Sequence, residues 1–415
     1  MKTTLIQNRS LNDVWQRLSE KEVSVSATLG SGWENFIAWN PVAVFESKEG
    51  DVEGFKSFVK KERELGRRLF GLLSYDLGYD LLNIPQTAKD DLLVPCIFFL
   101  SYDVFAKHTP EGFILSATSD ERLSLYVKEV EEILKRPQRE IQSLIKGTAF
   151  ISEMTREEYS KKFAKAKQHI VEGDIYQINL TRRFSGTTSK SSRDLFFDIN
   201  NADFKGYIEG SGFEVLSASP ERFVKISNEG VIDTYPIKGT RPRCEDKTED
   251  EKQMQELLHS EKEKAELSMI TDLLRNDIGK VSKAESVQVL EERKITAHTS
   301  VWHTSSHVQG VLRPKVSSVD ALLSMFPGGS ITGCPKKRAM EIIDSLEPTT
   351  RGVYTGSLGL IDPDGSMDFN IAIRTILKKG EKAYLQVGGG IVYDSEEEAE
   401  FKEADDKAKS FLDIL

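Results

Sequence analysis

The order of elements along the chain predicts an α+β fold built on antiparallel sheet. Three observations carry this. Strand-like and helix-like runs come in blocks, not in strict β–α alternation, which argues against a doubly wound parallel sheet. The chain has 415 residues, beyond the size at which one core usually keeps growing, so two lobes or one large layered domain are expected. Apolar residues make up 39%, below the usual fraction but ample for such a core.

The elements follow in order. Residues 1–12 are polar and mixed and lack the apolar centre of a secretion signal. Residues 36–39, 42–45, 69–75 and 113–117 read as strands, and 55–65 as a helix. The longest apolar run, 92–100, contains Pro95 and is far too short to span a bilayer, so it reads as a buried strand and no membrane is expected. Residues 123–147 are charged and helical in pattern. A boundary is placed after them, dividing an N-terminal region, 1–145, from a second region, 150–415. Thr155 and Glu158 have capping-box spacing, and Tyr159, Phe163, Ala166 and Ile170 then form an apolar stripe that Gly173 ends. Strands follow at 175–184, 213–217, 222–226 and 231–236, and one charged helix at about 247–275. A strand at 303–312, a helix at 335–346 and strands at 356–361, 369–378 and 383–392 complete the series. The last helix starts near residue 396, at a capping box formed by Ser395 and Glu398.

The formal net charge is −10, and no cluster of Lys and Arg with interleaved aromatics occurs, so nucleic acid is not an expected partner. Cys96, Cys244 and Cys334 are widely spaced and odd in number. That fits a reducing cytoplasm and argues against a disulfide framework or a zinc site.

Five patterns bear on chemistry. Gly328, Gly329 and Gly333, with Ser330 and Thr332, form a glycine-rich turn opening a helix at Pro335. Free amides at a helix start suit an anion, although an ordinary loop-to-helix junction has the same composition. Glu263 and Glu266 share a helix face, and Glu400 and Glu403 repeat the spacing. Four such carboxylates would suit a hard cation such as Mg²⁺; equally, solvated helix faces are rich in Glu and Lys. Gly388, Gly389 and Gly390 follow a strand and allow close backbone approach, to a ligand or in packing. Glu221 and Lys238 lie at strand edges or turns; a lone Lys is by default a surface charge, but a desolvated one is a nucleophile. His303 and His307 lie in a strand, where i, i+4 spacing does not make a zinc pair.

Together the segments 174–179, 219–223, 236–241, 272–277, 328–336, 371–375 and 388–403 resemble the chorismate-utilising enzyme family, in its order. The family includes anthranilate synthase component I, aminodeoxychorismate synthase component I, isochorismate synthase and salicylate synthase. The resemblance covers about 155–415 and implies two facing sheets, helices outside, and the active site in a cleft. It implies that Glu263, Glu266, Glu400 and Glu403 surround a Mg²⁺ that bridges to the ring carboxylate of chorismate. Arg374, Tyr354 and the amides of Gly388, Gly389 and Gly390 would hold the enolpyruvyl carboxylate. Ser330 and Thr332 would lie near the ring, with Gly239 and Thr240 beside the substrate, and His303 matches the family's active-site histidine.

Within the family, Lys238 in Pro-Ile-Lys-Gly-Thr resembles the aminodeoxychorismate synthases, where anthranilate synthases carry Ala. This implies that Glu221 protonates the departing 4-hydroxyl, Lys238 adds at ring C2, and ammonia then adds at C4 and expels the lysine. The ammonia implies a separate glutaminase subunit, since no Cys–His–Glu glutaminase module is present. Two small departures are Cys334, where Ala is commoner, and Gly389. In the weaker N-terminal match, Phe45-Glu-Ser47 resembles part of the tryptophan-binding element of anthranilate synthases, and residues 70–79 are expected to pack the two lobes together. The rival readings are an anthranilate synthase and a non-catalytic relic that binds Mg²⁺ and anions.

Overall fold

The computed structural model describes residues 1–18, 24–139, 147–199, 202–297 and 301–415. Two large sheets carry the fold, with antiparallel ladders. The twelve-stranded sheet runs Lys2–Gln7, Gly112–Ala117, Val104–Thr109, Phe36–Ala38, Ser26–Thr28, Phe204–Gly210, Phe213–Ser219, Thr375–Lys379, Lys382–Ile391, Gln177–Thr188 and Gly333–Cys334. Gly147–Ser152 also pairs with Gln177–Thr188. The ten-stranded sheet runs Ile237–Pro242, Val301–Val311, Val231–Thr234, Arg222–Ile226, Met367–Asn370, Ser357–Ile361, Arg68–Leu73, Ile97–Tyr102 and Ala43–Ser47. Gln288–Ala297 also pairs with Val301–Val311.

The sheets face each other across an apolar layer that includes Phe70, Leu72, Phe98, Phe204, Val215 and Leu358. Phe98 meets Phe213 with ring centroids 5.2 Å apart, and Phe36 meets Phe70 at 5.5 Å, each pair crossing between sheets. Burying a side chain of this kind contributes about 1.5–3 kcal/mol. The outer faces are covered by helices. Asp120–Lys135 and Glu397–Leu412 pack on the larger sheet, and Val52–Glu64 and Ser318–Met325 on the smaller. Arg68–Leu73 and Ile97–Tyr102 are therefore buried along their whole length, which is why residues 69–73 and 97–100 read as unbroken apolar runs.

The α+β sandwich is as expected. The N-terminal strands do not form a body of their own: they extend both sheets. In the larger sheet Ser26–Thr28 pairs with Phe204–Gly210, and in the smaller Arg68–Leu73 pairs with Ser357–Ile361. The predicted boundary at 145–150 begins in a stretch outside the described residues.

Local expectations fare unevenly. Thr155 and Glu158 form the capping box, and Tyr159, Phe163, Ala166 and Ile170 are all buried. The single helix expected at 247–275 is two, Lys247–His259 and Glu261–Gly279. Ser260 ends the first in an extended conformation, and its hydroxyl accepts from the Glu263 amide at 3.3 Å to start the second. Ser395 does not cap the last helix. Its hydroxyl accepts from the Val392 amide and donates to Glu400 Oε1, and the cap position falls to Glu396 with no side-chain bond.

Candidate active site

A cavity of about 740 Å³ opens where strands of both sheets meet the Glu261–Gly279 and Glu397–Leu412 helices. Its wall includes Glu221, Lys238, Gly239, Thr240, His303, Ser330, Tyr354 and Arg374, the glycines 388–390, and Glu263, Glu266, Glu400 and Glu403. Every predicted site residue but one is therefore brought to the same space. The exception is Thr332. It is fully buried, its hydroxyl donates to the Gly328 carbonyl at 2.7 Å, and it closes the glycine-rich turn instead of lining the cavity.

Lys238 lies opposite Thr304 on the neighbouring strand, and the ladder slips between Lys238 and Thr240. A bulge re-aims side chains. Gly239, at the slip, has φ +82°, and a Cβ there would stand 2.7 Å from Leu257 Cδ1. Glycine satisfies both the left-handed conformation and the space. His303 sits beyond the slip, opposite Thr240, and is only 5% exposed.

Glu221 follows the strand Phe213–Ser219. Its amide donates to Ser219 Oγ, and its carbonyl accepts from the Ile371 amide, so the backbone is fixed on both sides. Glu221 is 7% exposed, and its carboxyl accepts a 2.8 Å hydrogen bond from Ser330. Burial pushes its pKa up to about 7, against the opposing pull of the Ser330 hydroxyl and of Lys238. A carboxyl that titrates there can hold a proton at neutral pH and release it to a leaving group. Lys336 keeps the turn that carries Ser330 in place: its ammonium donates to Asp277 and to the Met325 carbonyl, 2.8 and 2.7 Å away.

Beneath the cavity, Arg351 is buried with Glu347 and also donates to the carbonyls of Asn179 and Ile331. Its guanidinium lies 4.6 Å from the centre of the Tyr75 ring. Residues 70–79 therefore do pack the N-terminal part onto the floor of the site.

The four carboxylates come from two helices, as their spacing implies. Burial raises the pKa of Glu266 and of Glu400, and neighbouring carboxylates add to it: Glu263 and Glu400 act on Glu266, and Glu403 on Glu400. Burial also pushes Glu403 upward, but Lys407, 2.7 Å away, overrides it and holds that carboxyl below its usual range. A set of oxygen donors under mutual repulsion has the chemistry of a hard-cation site. Gly389 leaves room beside it: a Cβ there would stand 2.9 Å from Glu400 Oε2. The residues thus fit Mg²⁺ in kind and location, while no three of them bring oxygens within 4.8 Å of one another.

Elsewhere on the wall, Tyr354 is buried and Arg374 lines the cavity from a left-handed backbone, φ +50°. A non-glycine residue held there marks a conformation imposed by its surroundings. The three glycines are not in a turn beyond a strand. They lie within Lys382–Ile391, opposite Asn179, Leu180 and Thr181, and Lys407 donates to the Gly388 carbonyl.

The sequence reading missed Asn179, Gln386, Arg241, Lys262 and Lys407, all on the cavity wall. Lys407 had a usable signal, since it stands one helical turn beyond Glu403. Phe45, Glu46 and Ser47 lie elsewhere, on the edge strand Ala43–Ser47. Phe45 packs on Phe55 and Phe58, and Ser47 Oγ accepts from the Asp51 amide. No helix among the described residues is long and apolar enough to cross a membrane.

Residues 23–413 match the family model described as chorismate binding enzyme. The chain is 37% identical to aminodeoxychorismate synthase component 1 of Bacillus subtilis (strain 168), over 87% of this chain and 81% of that one. It is 39% identical to the Escherichia coli (strain K12) protein of the same name, over 83% and 76%. An anthranilate synthase component 1 from Haloarcula marismortui is 36% identical, over 83% and 75%. Among solved structures, anthranilate synthase component I from Streptococcus pneumoniae TIGR4 superposes with a TM-score of 0.81 at 29% identity, covering 95% of this chain and 94% of that one. With this breadth of match, the chain belongs to the chorismate binding enzymes and acts on chorismate.

Proposed function

We propose that the chain is the chorismate-aminating component of an aminodeoxychorismate synthase, forming 4-amino-4-deoxychorismate. The observation that carries this is Lys238, an amine held in the same cavity as a buried carboxyl that titrates near neutrality. Lys238 first gives its ammonium proton to water; the free amine then adds at ring C2, the ring double bonds shift, and the C4–oxygen bond breaks. Glu221 gives its proton to the departing oxygen, which leaves as water. Ammonia adds at C4, the double bonds shift back, and the C2–Lys238 bond breaks. Arg374 and Tyr354 orient the enolpyruvyl carboxylate, and Ser330 keeps the Glu221 carboxyl aimed.

Glu263, Glu266, Glu400 and Glu403 would hold Mg²⁺, which supplies Lewis-acid polarisation of the ring carboxylate when bound. Ammonia is mostly protonated at neutral pH, so a separate glutaminase subunit in the cytoplasm is the proposed source. Tryptophan is left out of the proposal, because Phe45 is engaged in edge-strand packing and Ser47 in a helix start.

The test is to incubate the chain with chorismate, Mg²⁺ and an ammonium salt at alkaline pH and identify the product. The expected product is 4-amino-4-deoxychorismate, and Lys238→Ala should lose most of it. Anthranilate as the main product would favour the second reading, an anthranilate synthase, with which the chain shares 36% identity in one relative. Unchanged output from Lys238→Ala would remove the lysine from the mechanism.

A further inference from the structure

Three of the four carboxylates assigned to the metal are already matched by cations of the protein itself. Arg241 Nη1 lies 3.5 Å from Glu263, Lys238 Nζ 3.9 Å from Glu266 Oε2, Lys262 Nζ 4.0 Å from Glu266 Oε1, and Lys407 Nζ 2.7 Å from Glu403. Glu400 takes the neutral Ser395 hydroxyl. Around the whole cavity, Glu221, Glu263, Glu266, Glu400, Glu403 and Asp406 face Lys238, Arg241, Lys262, Arg374 and Lys407. The wall is therefore close to charge balance before anything binds. A dication alone upsets that balance in one direction and a dicarboxylate alone in the other. The two together leave it unchanged.

The cations differ in what else holds them. Arg241 also donates to the Thr240 carbonyl and Lys407 to the Gly388 carbonyl. Lys262 is more than half exposed and has water as an alternative. Lys238 is 18% exposed, and its charge acts on Glu266, Glu221 and Glu403 together. It also has room to move, because Gly390 lacks a side chain: a Cβ there would stand 3.4 Å from Lys238 Nζ.

We propose that Lys238 is the resident counter-ion of the carboxylate cluster. Its ammonium and a divalent cation compete for Glu266, so Lys238 weakens metal binding to the empty site. Metal and chorismate then enter cooperatively, and the lysine moves off the carboxylates towards the ring as they do. This gives the nucleophile a second role, in the order of loading, and it rests on the metal site proposed above.

The experiment titrates Mn²⁺ into the full chain without chorismate, followed by calorimetry and by the electron paramagnetic resonance of free Mn²⁺. Lys238→Met keeps most of the side-chain bulk and removes the charge. It should bind Mn²⁺ about tenfold more tightly than the unaltered chain, the effect of deleting one nearby like charge in a partly buried site. Lys238→Arg keeps the charge and should stay weak, and Lys262→Met should change affinity by less than about threefold. Adding chorismate should tighten Mn²⁺ binding in the unaltered chain more than in Lys238→Met.

Equal affinity in Lys238→Met and the unaltered chain would overturn the proposal. If Glu263→Gln/Glu266→Gln still abolished binding in that case, the metal site would stand without the competition. Wild-type Mn²⁺ affinity in the double carboxylate variant would remove the metal site, and the proposal with it.

Discussion

Replacing Glu221 with glutamine removes a buried charge but keeps an oxygen to accept the Ser330 hydrogen bond. The carboxyl has an ordinary pKa of 4.5 and is held at about 7 in the fold, with burial as the main cause. At about 1.36 kcal/mol per unit, that difference is worth roughly 3 kcal/mol. The sign follows from linkage. The folded chain holds this proton more tightly than the unfolded chain does. Its contribution to stability is complete below pH 4.5 and is lost as pH rises from there through about 7. Glutamine does not titrate, so Glu221→Gln should match the unaltered chain in acid and exceed it by up to about 3 kcal/mol at pH 8. Urea unfolding followed by tryptophan fluorescence at pH 5 and pH 8 measures the difference. The same variant should lose turnover by about 10²–10⁴-fold, the usual share of a general acid. A variant no more stable than the unaltered chain at pH 8 would refute the reasoning. It would mean that Ser330 and Lys238 compensate the buried carboxylate fully.

Ser330→Ala removes a hydrogen bond that favours the ionised form of Glu221, so the basic limb of the kcat/KM profile should move to higher pH, by about one unit. A limb that stays put or moves down would separate Ser330 from Glu221. Gly239→Ala puts a Cβ 2.7 Å from Leu257 Cδ1 at φ +82°. It should cost about 1–3 kcal/mol in urea unfolding and lower kcat by displacing Lys238. Arg351→Met strands Glu347 as a buried, unpaired carboxylate and should cost about 3–5 kcal/mol. A loss under 1 kcal/mol would show that Glu347 finds another partner or a proton.

The legible parts of the sequence were those encoded by near neighbours. The capping box at Thr155, the stripe from Tyr159 to Ile170 and the buried strand, expected at 92–100 and found at 97–102, each leave a signature within a few residues. The carboxylate pairs were visible for the same reason, since three residues separate partners on one helix face. Their convergence from two helices is a matter of tertiary packing, and only the family resemblance supplied it. Ser260 was overlooked because a serine inside a charged, helix-favouring stretch does not advertise that it turns the chain. Thr332 misled because a hydroxyl in a glycine-rich turn serves either a ligand or the turn's own carbonyl, and nothing local decides between them. The strand Gln288–Ala297 is largely exposed, so it lacks the buried alternation that marks a half-covered strand.

The way the two halves of the chain are knitted has a consequence for modularity. Were the chain cut between 139 and 147, each fragment would expose raw backbone along a strand that is now interior, at Ser26–Thr28 and Arg68–Leu73 on one side and Phe204–Gly210 and Ser357–Ile361 on the other. Such edges template aggregation when left bare and pair again when the right partner is present. The fragments are therefore complementary surfaces, and neither is a detachable unit. The first third of the chain is thus part of both sheets and not an appendage to them.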